Sequence, residues 1–415
     1  HTGTNTTGNS AWAMKLTAGT GSASETTPPT IVNGYDSYSA VPDVYTQVAK
    51  RTSGTSAETN TKVSGSYFST TYSIYAASTQ PAGSYAGKVK YVMVHPSSNA
   101  TTIPDIDAAF AAKGKQKAYQ DASGNYYYSM QDMSSDICAS VTRTGESTTA
   151  RLVDVRDNKL YYVTKLKDGH CWMTQNLDLD LVAGTTFTHA NTDLGWTNLN
   201  TEATWTVGEG YSTIPWDPIA GKFTGWDNQN ALPYSADPGE KYYYTSNTTS
   251  NDTTFNSMTQ CLEAGHSQAD CEHYSAGNYY NWTAAVAGNV VNSGNAPDSI
   301  CPAGWRLPRT SADEFANLLV AHNVIPNIAS TSYVTDSNNV KIGFNTIRKY
   351  PLYFVRSGYV NSGALSDAAS YGNYWSSTVI NANSARYLSF GNSGVDPAYN
   401  SSYRYRGRSV RCMAR

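Results

Sequence analysis

Two short stretches far apart in the chain constrain its fold most. They are Cys301-Pro302-Ala303-Gly304-Trp305-Arg306-Leu307-Pro308 and the closing residues Ser409-Val410-Arg411-Cys412-Met413-Ala414-Arg415. The first reads as a turn, a short strand and the lead-in to a helix, with Pro and Gly as punctuation. The second reads as a terminal strand carrying one cysteine. Together they predict a compact domain whose last strand closes a small sheet and is tied by a disulfide. Such a domain suits a binding scaffold outside the cell better than a cytosolic enzyme.

The rest of the composition agrees. The 415 residues allow about two or three domains, each able to bury a core. Tyr occurs 32 times, charged residues make up only 15%, and Ser, Thr, Asn and Gly fill much of the remainder. Tyr and Thr suit half-buried strands, and Ser, Asn and Gly suit turns. The expected class is therefore mostly β with a small helical part. An aromatic content of 12% argues against a disordered polar chain. A formal charge of −3 gives no global field to draw in nucleic acid or an acidic membrane. No run of about 18 apolar residues is present to span a bilayer. The chain starts at His1 rather than Met, as expected of a mature or trimmed product. Six cysteines, none in a zinc-type Cys-x-x-Cys spacing, favour an oxidising setting.

Along the chain, residues 1–102 contain no cysteine and little helical periodicity. Residues 64–75 roughly alternate polar with aromatic or aliphatic side chains, as a strand does. A turn at Gln80-Pro81-Ala82-Gly83 leads to 85–94, where Val89, Tyr91 and Met93 share a face. These segments predict the closing hairpin of a β-sandwich, and Trp12 marks another strand. The module looks short of strands at its start, as if it were truncated or borrowed one from a neighbour. Residues 103–137 are expected to be a connector. It follows a polar linker, His95 to Thr102, and holds a helix opening at Asp105, with acidic residues in its first turn. Leu152-Val153-Asp154-Val155 and Leu160-Tyr161-Tyr162-Val163 predict a hairpin turning at Arg156-Asp157-Asn158. Asp168-Gly169 is a second turn signal, followed by a buried strand at Cys171-Trp172-Met173. Residues 180–275 form a long polar insertion. Trp196, Trp205, Trp216 and Trp226 predict that it folds over the domain, and Cys261 and Cys271 are close enough to pair locally. The clearest helix covers 310–320, with Thr310 or Ser311 as cap and Glu314 completing a capping box.

Several ordered blocks resemble a known family. They are Asp154-Val155-Arg156-Asp157-Asn158-Lys159-Leu160-Tyr161, Asp168-Gly169-His170-Cys171-Trp172-Met173-Thr174-Gln175-Asn176-Leu177, Tyr279-Tyr280-Asn281-Trp282-Thr283-Ala284-Ala285, Cys301 to Pro308, Tyr374-Trp375-Ser376-Ser377-Thr378 and Arg408-Ser409-Val410-Arg411-Cys412. In that order they resemble the Fibrobacter succinogenes major paralogous domain over residues 138–415. The Pro-Ala-Gly-x-Tyr-x-Gly-x-Val pattern from Pro81 resembles the last strands of bacterial surface Ig-like domains. The paralogous domain is similar to the C-type lectin-like superfamily. The resemblance therefore implies an N-terminal Ig-like β-sandwich (1–102), then a C-type lectin-like α+β domain (138–415) with the insertion. It also implies the pairs Cys301 with Cys412 and Cys138 with Cys171. The large insertion departs from the shorter family pattern.

The same superfamily includes formylglycine-generating enzymes, which use an active-site cysteine pair near an Arg-Gly-Gly-Ser-Trp stretch. The corresponding region here is Tyr403-Arg404-Tyr405-Arg406-Gly407-Arg408-Ser409, so that chemistry is not expected. No Gly-x-Ser-x-Gly elbow or His-Glu-x-x-His helix occurs. His170, His273 and His322 are expected at surface or turn positions, and Asp178 and Asp180 in a solvated turn. Glu-Pro-Asn and Gln-Pro-Asp, which bind calcium and sugar together in lectin-like sites, are absent. Asp217-Pro218 and Asp396-Pro397 are partial echoes, and calcium is the ion that oxygen-rich loops would take. The remaining candidate is an aromatic and amide surface drawn from residues 356–406. Trp375 and Tyr387 are expected in the core. Asn392, Asp396, Tyr399, Asn400, Tyr403, Arg404 and Tyr405 are expected in an exposed loop that binds ligand, with Arg404, Arg406 and Arg408 alternating along one face. The expected function is non-catalytic, adhesin-type recognition of a surface glycan or protein. The alternative is self-association into an extracellular filament, pilus or coat by strand donation.

Overall fold

The computed structural model describes residues 11–20, 30–31, 34–40, 49–50, 66–75, 105–142, 148–194, 204–208, 212–226, 232–245, 251–289 and 291–415. The chain divides into two compact units, His1–Val92 and Met93–Arg415. Both are mostly β.

In the first unit, Ala11–Thr20 pairs antiparallel with Ser66–Tyr75 along its whole length and with Ser39–Ala40 on its other side. Thr30–Ile31 pairs with Ala49–Lys50. Met14, Leu16 and Tyr35 make a small core with Ile31 packed against it. Both strands expected here, around Trp12 and over 64–75, are present. Residues 76–104, which carry the expected turn, second hairpin strand and linker, lie outside the described residues.

The second unit is built on a five-stranded antiparallel sheet. Its order is Trp305–Arg306, Met413–Ala414, Cys171–Met173, Lys159–Lys165 and Thr148–Asp154. The chain's last strand is therefore interior to the sheet, flanked on both sides. Cys412, just before it, bonds Cys301, and Cys138 bonds Cys171. Cys261 and Cys271 form the third disulfide, inside the insertion. In a chain-entropy description, closing a loop of 111 residues between Cys301 and Cys412 stabilises the fold by about 4–5 kcal/mol.

The two stretches that opened the analysis meet here. Gly304 has φ +82°, and a Cβ there would collide with the Met133 carbonyl oxygen, so only glycine fits the turn. That turn delivers Trp305 to the core, where its indole N–H donates to Met130 O at 2.8 Å. Trp172, Trp282 and Trp375 are also fully buried, and their N–H groups donate to Asp168, Ser376 O and Tyr280 O. Each indole removes about 200 Å² from water, worth on the order of 5 kcal/mol before entropy, and leaves no unpaired donor.

The remaining elements wrap this sheet. Gly372–Asn381, Ser384–Phe390 and Val395–Tyr403 form a three-stranded antiparallel sheet. The insertion adds Lys222–Phe223, Ser212–Asp217 and Tyr234–Asp237, in that order, beside Tyr279–Tyr280. Its tryptophans do fold inward. Trp226 is buried with Ile214, Phe223 and Tyr279, Trp205 stacks on Phe187 at 5.3 Å, and Trp216 packs edge-on to Phe223 at 4.9 Å. Trp196 lies outside the described residues.

Two local expectations need correction. Residues 105–137 are not a spacer: Ile106, Phe110, Met130, Met133 and Ile137 belong to the same core as Trp282 and Trp305. The expected helix is there as Ile106–Ala112, capped by Asp105, whose carboxylate accepts Ala108 N–H at 2.7 Å. The helix expected over 310–320 is a 3-10 turn, Thr310–Ala312, then an α-helix, Glu314–Ala321. Its N-cap is Asp313 in the left-handed region, with no side-chain cap bond. Glu314 is drawn away because its carboxylate pairs with Arg306 at 2.7 Å and accepts Arg309 N–H at 2.6 Å.

Arg411 is the deepest tie of the terminal segment. Its side chain is 1% exposed and forms no ion pair with a carboxylate among the described residues. It donates to Asn176 Oδ1 at 2.9 Å, Leu352 O at 3.0 Å, Tyr353 O at 2.8 Å and Met173 O at 3.3 Å. The guanidinium also lies 4.7 Å from the Phe354 ring centre. Arg411→Met keeps most of the volume but strands these acceptors. It is expected to lower stability by about 3 kcal/mol or more, read as a lower urea midpoint with disulfides intact. An unchanged midpoint would show that the cage contributes nothing.

Candidate functional site

The segment expected as an exposed loop, 392–405, is largely the strand Val395–Tyr403. Register shifts on either side of Tyr387 bend it against its partner Ser384–Phe390. A rise of about 3.3 Å per residue puts Val395 and Tyr403 about 26 Å apart, so the candidate residues do not form one site. Asn392 and Asp396 stand at one end. The Asn392 carbonyl accepts Lys341 Nζ at 2.8 Å, and Asp396 accepts the Ala398 N–H of its own turn at 2.9 Å. Tyr403 and Tyr405 stand at the other, and Tyr399 and Asn400 lie midway along the strand.

From midway to that second end the rings and cations form a continuous ladder. Tyr399 packs on Tyr387 with ring centres 5.1 Å apart. Tyr403 and Tyr405 stack nearly parallel, 5.2 Å apart and tilted by 10°. Arg406 lies 5.6 Å from the Tyr403 ring and 5.3 Å from the Tyr359 ring. Arg408 lies 5.0 Å from Tyr359, 5.1 Å from Trp375 and 3.5 Å from Tyr387. Tyr399 is 44% exposed and Tyr403 51%. Asn400 is exposed as well, and Tyr405 and Arg406 are half-buried.

Local backbone explains the placement. The chain turns after Tyr403, closing Arg406 N–H on Tyr403 O at 3.1 Å. Gly407 then exchanges two hydrogen bonds with Val360, where a Cβ would crowd Val360 and Trp226. The arginines consequently do not alternate on one face. Arg404 is buried, contrary to its expected role as a ligand contact. It donates to Val291 O and Asn381 O, both at 2.6 Å, and covers the Trp282 ring at 4.4 Å. Arg408 is 1% exposed and bonds Ser402 Oγ at 2.5 Å. Burial pulls its pKa down to about 10, which leaves it a cation at neutral pH. Trp375 and Tyr387 are core residues, as expected, and Tyr374 is buried with them.

Other candidate groups have defined structural partners. Asp217, like Asp396, binds main-chain N–H groups of its own turn, at 2.9 and 3.0 Å. Among the described residues, no cluster of three or more His, Cys, Asp or Glu side chains could hold a metal ion. Asp178 pairs with Lys159 at 2.9 Å, and Asp180 accepts from Asn278 at 2.6 Å. Two histidines expected at the surface or in turns are buried instead. The His322 Nε2 accepts Lys167 N–H at 3.1 Å. His273 lies between Tyr162 and Tyr353, with ring centres at 4.1 and 4.0 Å. The burial of His273 follows from aromatic partners supplied by distant segments. His170 sits exposed in its turn beside Asp168, which raises its pKa.

One concavity escaped sequence reasoning. An open cleft of about 500 Å³ is walled by Pro215, Trp216, Pro218 and Pro238, with Asp237, Glu240, Lys241 and Asn256 around it. It exists because Ser212–Asp217 and Tyr234–Asp237 pair in parallel, a pairing with no local signal.

Comparison of the chain with protein-family models, curated proteins and solved structures gives no match.

His273 makes the core acid-sensitive. Burial lowers its pKa from 6.5 to about 4, so the folded state holds the ring neutral where the unfolded chain would protonate it. This contribution is full above the unfolded value and is lost as pH falls towards the folded one. Stability measured by urea unfolding is expected to drop between those two values. His273→Phe, which cannot take up the proton, is expected to drop less. Parallel curves for the two proteins would contradict this assignment.

Proposed function

We propose that this protein is a non-catalytic extracellular recognition protein of adhesin type. In this reading an Ig-like module precedes a C-type lectin-like domain that grips a glycan or a protein on another surface. The observation that carries it is the tyrosine face running from the middle of the Val395–Tyr403 strand into the turn after it. Tyr399, Asn400 and Tyr403 are exposed there, Tyr405 stacks on Tyr403, and the Arg406 cation lies against the Tyr403 ring. Tyr offers large contact area for little side-chain entropy, and amides and guanidinium groups add directional hydrogen bonds. The face stands on a frame closed by disulfides and buried tryptophans, so little is lost in ordering it on binding.

The extracellular setting draws support from the cysteines: all six are paired in three disulfides. Among the described residues, no helix is long and apolar enough to cross a membrane.

A glycan array, followed by titration of each hit, tests this function. Tyr403→Ala and Tyr399→Ala are both exposed substitutions that leave the core intact. Each is expected to weaken binding at least about tenfold, as truncation of an aromatic anchor does. If both variants bind every hit as well as the parent, the face is not the site. Fibres formed by the purified parent in electron micrographs would favour the filament alternative.

A further inference from the structure

We propose that the face made by Tyr359, Tyr403, Tyr405 and Arg406 takes a carboxylate-bearing saccharide. Arg406 receives the carboxylate, and the Tyr403 and Tyr405 rings receive the sugar. The proposal rests on the recognition reading above and adds the charge and class of the ligand.

The observation behind it is an imbalance among the arginines. The other buried arginines have defined oxygen partners. Arg156 is paired with Asp154, Arg348 and Arg356 share Asp252, Arg415 meets Asp193, and Arg411 sits among carbonyl and amide oxygens. Arg406 has no hydrogen-bond or ion-pair partner among the described residues, and its Nε is buried and unpaired. Directly behind it, Arg408 is 1% exposed, with Nε and Nη1 unpaired. Both guanidinium groups lie against the same Tyr359 ring, at 5.3 and 5.0 Å. Among the described residues no carboxylate forms an ion pair with Arg404, Arg406 or Arg408.

Two unneutralised cations on one ring repel each other and make a local positive field in a chain of net charge −3. Ring faces offset part of that through cation–π attraction but leave the N–H fork of Arg406 without an acceptor. A carboxylate matches that fork in plane and spacing, and its charge relieves both arginines at once. The neighbouring surface suits a sugar. Tyr403 is 51% exposed and stacks on Tyr405, so the pair offers an outer aromatic face to the C–H face of a pyranose.

Calorimetric titration with tetragalacturonate, a glucuronate-containing tetrasaccharide and their methyl esters tests the proposal, since each ester keeps the sugar backbone and replaces the carboxylate by a neutral group. At low salt, at least one acid is expected to bind about tenfold tighter than its ester. High salt should erase the preference, as should Arg406→Gln, while Tyr403→Ala should weaken acid and ester together. Near-ultraviolet circular dichroism confirms that each variant keeps the parent fold. Equal binding of acid and ester to the parent would overturn the carboxylate assignment and leave the recognition face standing. Binding of tetraglutamate but of neither uronate, lost in Arg406→Gln, would overturn the sugar. Failure of either uronate to bind, alongside a Tyr403-dependent neutral glycan, would overturn the proposal alone. Indifference of every ligand to Tyr399→Ala and Tyr403→Ala would overturn the recognition reading with it.

Discussion

Arg411 holds the larger unit together by joining segments that are far apart in sequence. One buried guanidinium, with no ion pair among the described residues, gathers oxygens from the 173–176 stretch and from Leu352 and Tyr353. A charge in that position is stable only because its hydrogen bonds are met almost completely and ring faces cover what remains. Burial lowers its pKa to about 10, so the cation survives at neutral pH. The next residue, Cys412, bonds Cys301, and the two after it form an interior strand of the five-stranded sheet, between Trp305–Arg306 and Cys171–Met173. The chain's end thus acts as a central seam, and the sheet is incomplete until it arrives.

The residues just before it explain the tyrosine and arginine face. Arg404, Arg406 and Arg408 are spaced as if on one strand, yet a turn at the end of Val395–Tyr403 sends each to different surroundings. Arg404 goes to carbonyls over Trp282, and Arg408 goes under the tyrosines. Arg406 alone is left with a half-buried head near solvent and no partner among the described residues. Because its neighbours are pinned inside the core, Arg406 and the exposed tyrosines are presented without having to be ordered by a ligand.

Much of this was legible where the signal was local. The hairpin turning at Arg156-Asp157-Asn158, the strand at Cys171, the helix behind Asp105 and the disulfide between Cys261 and Cys271 follow from turn residues, alternation and short spacing. Inward folding of the insertion followed from its tryptophans, because such rings are rarely left in water. What escaped was non-local. No sequence pattern announces a parallel pairing between Ser212–Asp217 and Tyr234–Asp237, so the Trp216 cleft was invisible. His273 looked like a surface residue because the rings that bury it, Tyr162 and Tyr353, come from distant segments. Glu314 matched a capping box, but the Arg306 ion pair won its carboxylate. Asn392 and Tyr403 read as one loop because periodicity alone did not reveal the strand that separates them.

Native-state hydrogen exchange on the intact, oxidised chain tests the seam most directly. The amides of Met173, Leu177 and Trp375 donate to Cys412 O, Val410 O and Ser409 O, at 2.9, 3.0 and 3.1 Å, and so report on the terminal segment. If that segment is what closes the unit, these amides exchange only through global unfolding and are among the slowest in the chain. Exchange as fast as that of Gly124, in the exposed turn at Asp121, would show that the seam opens locally and that the fold stands without it.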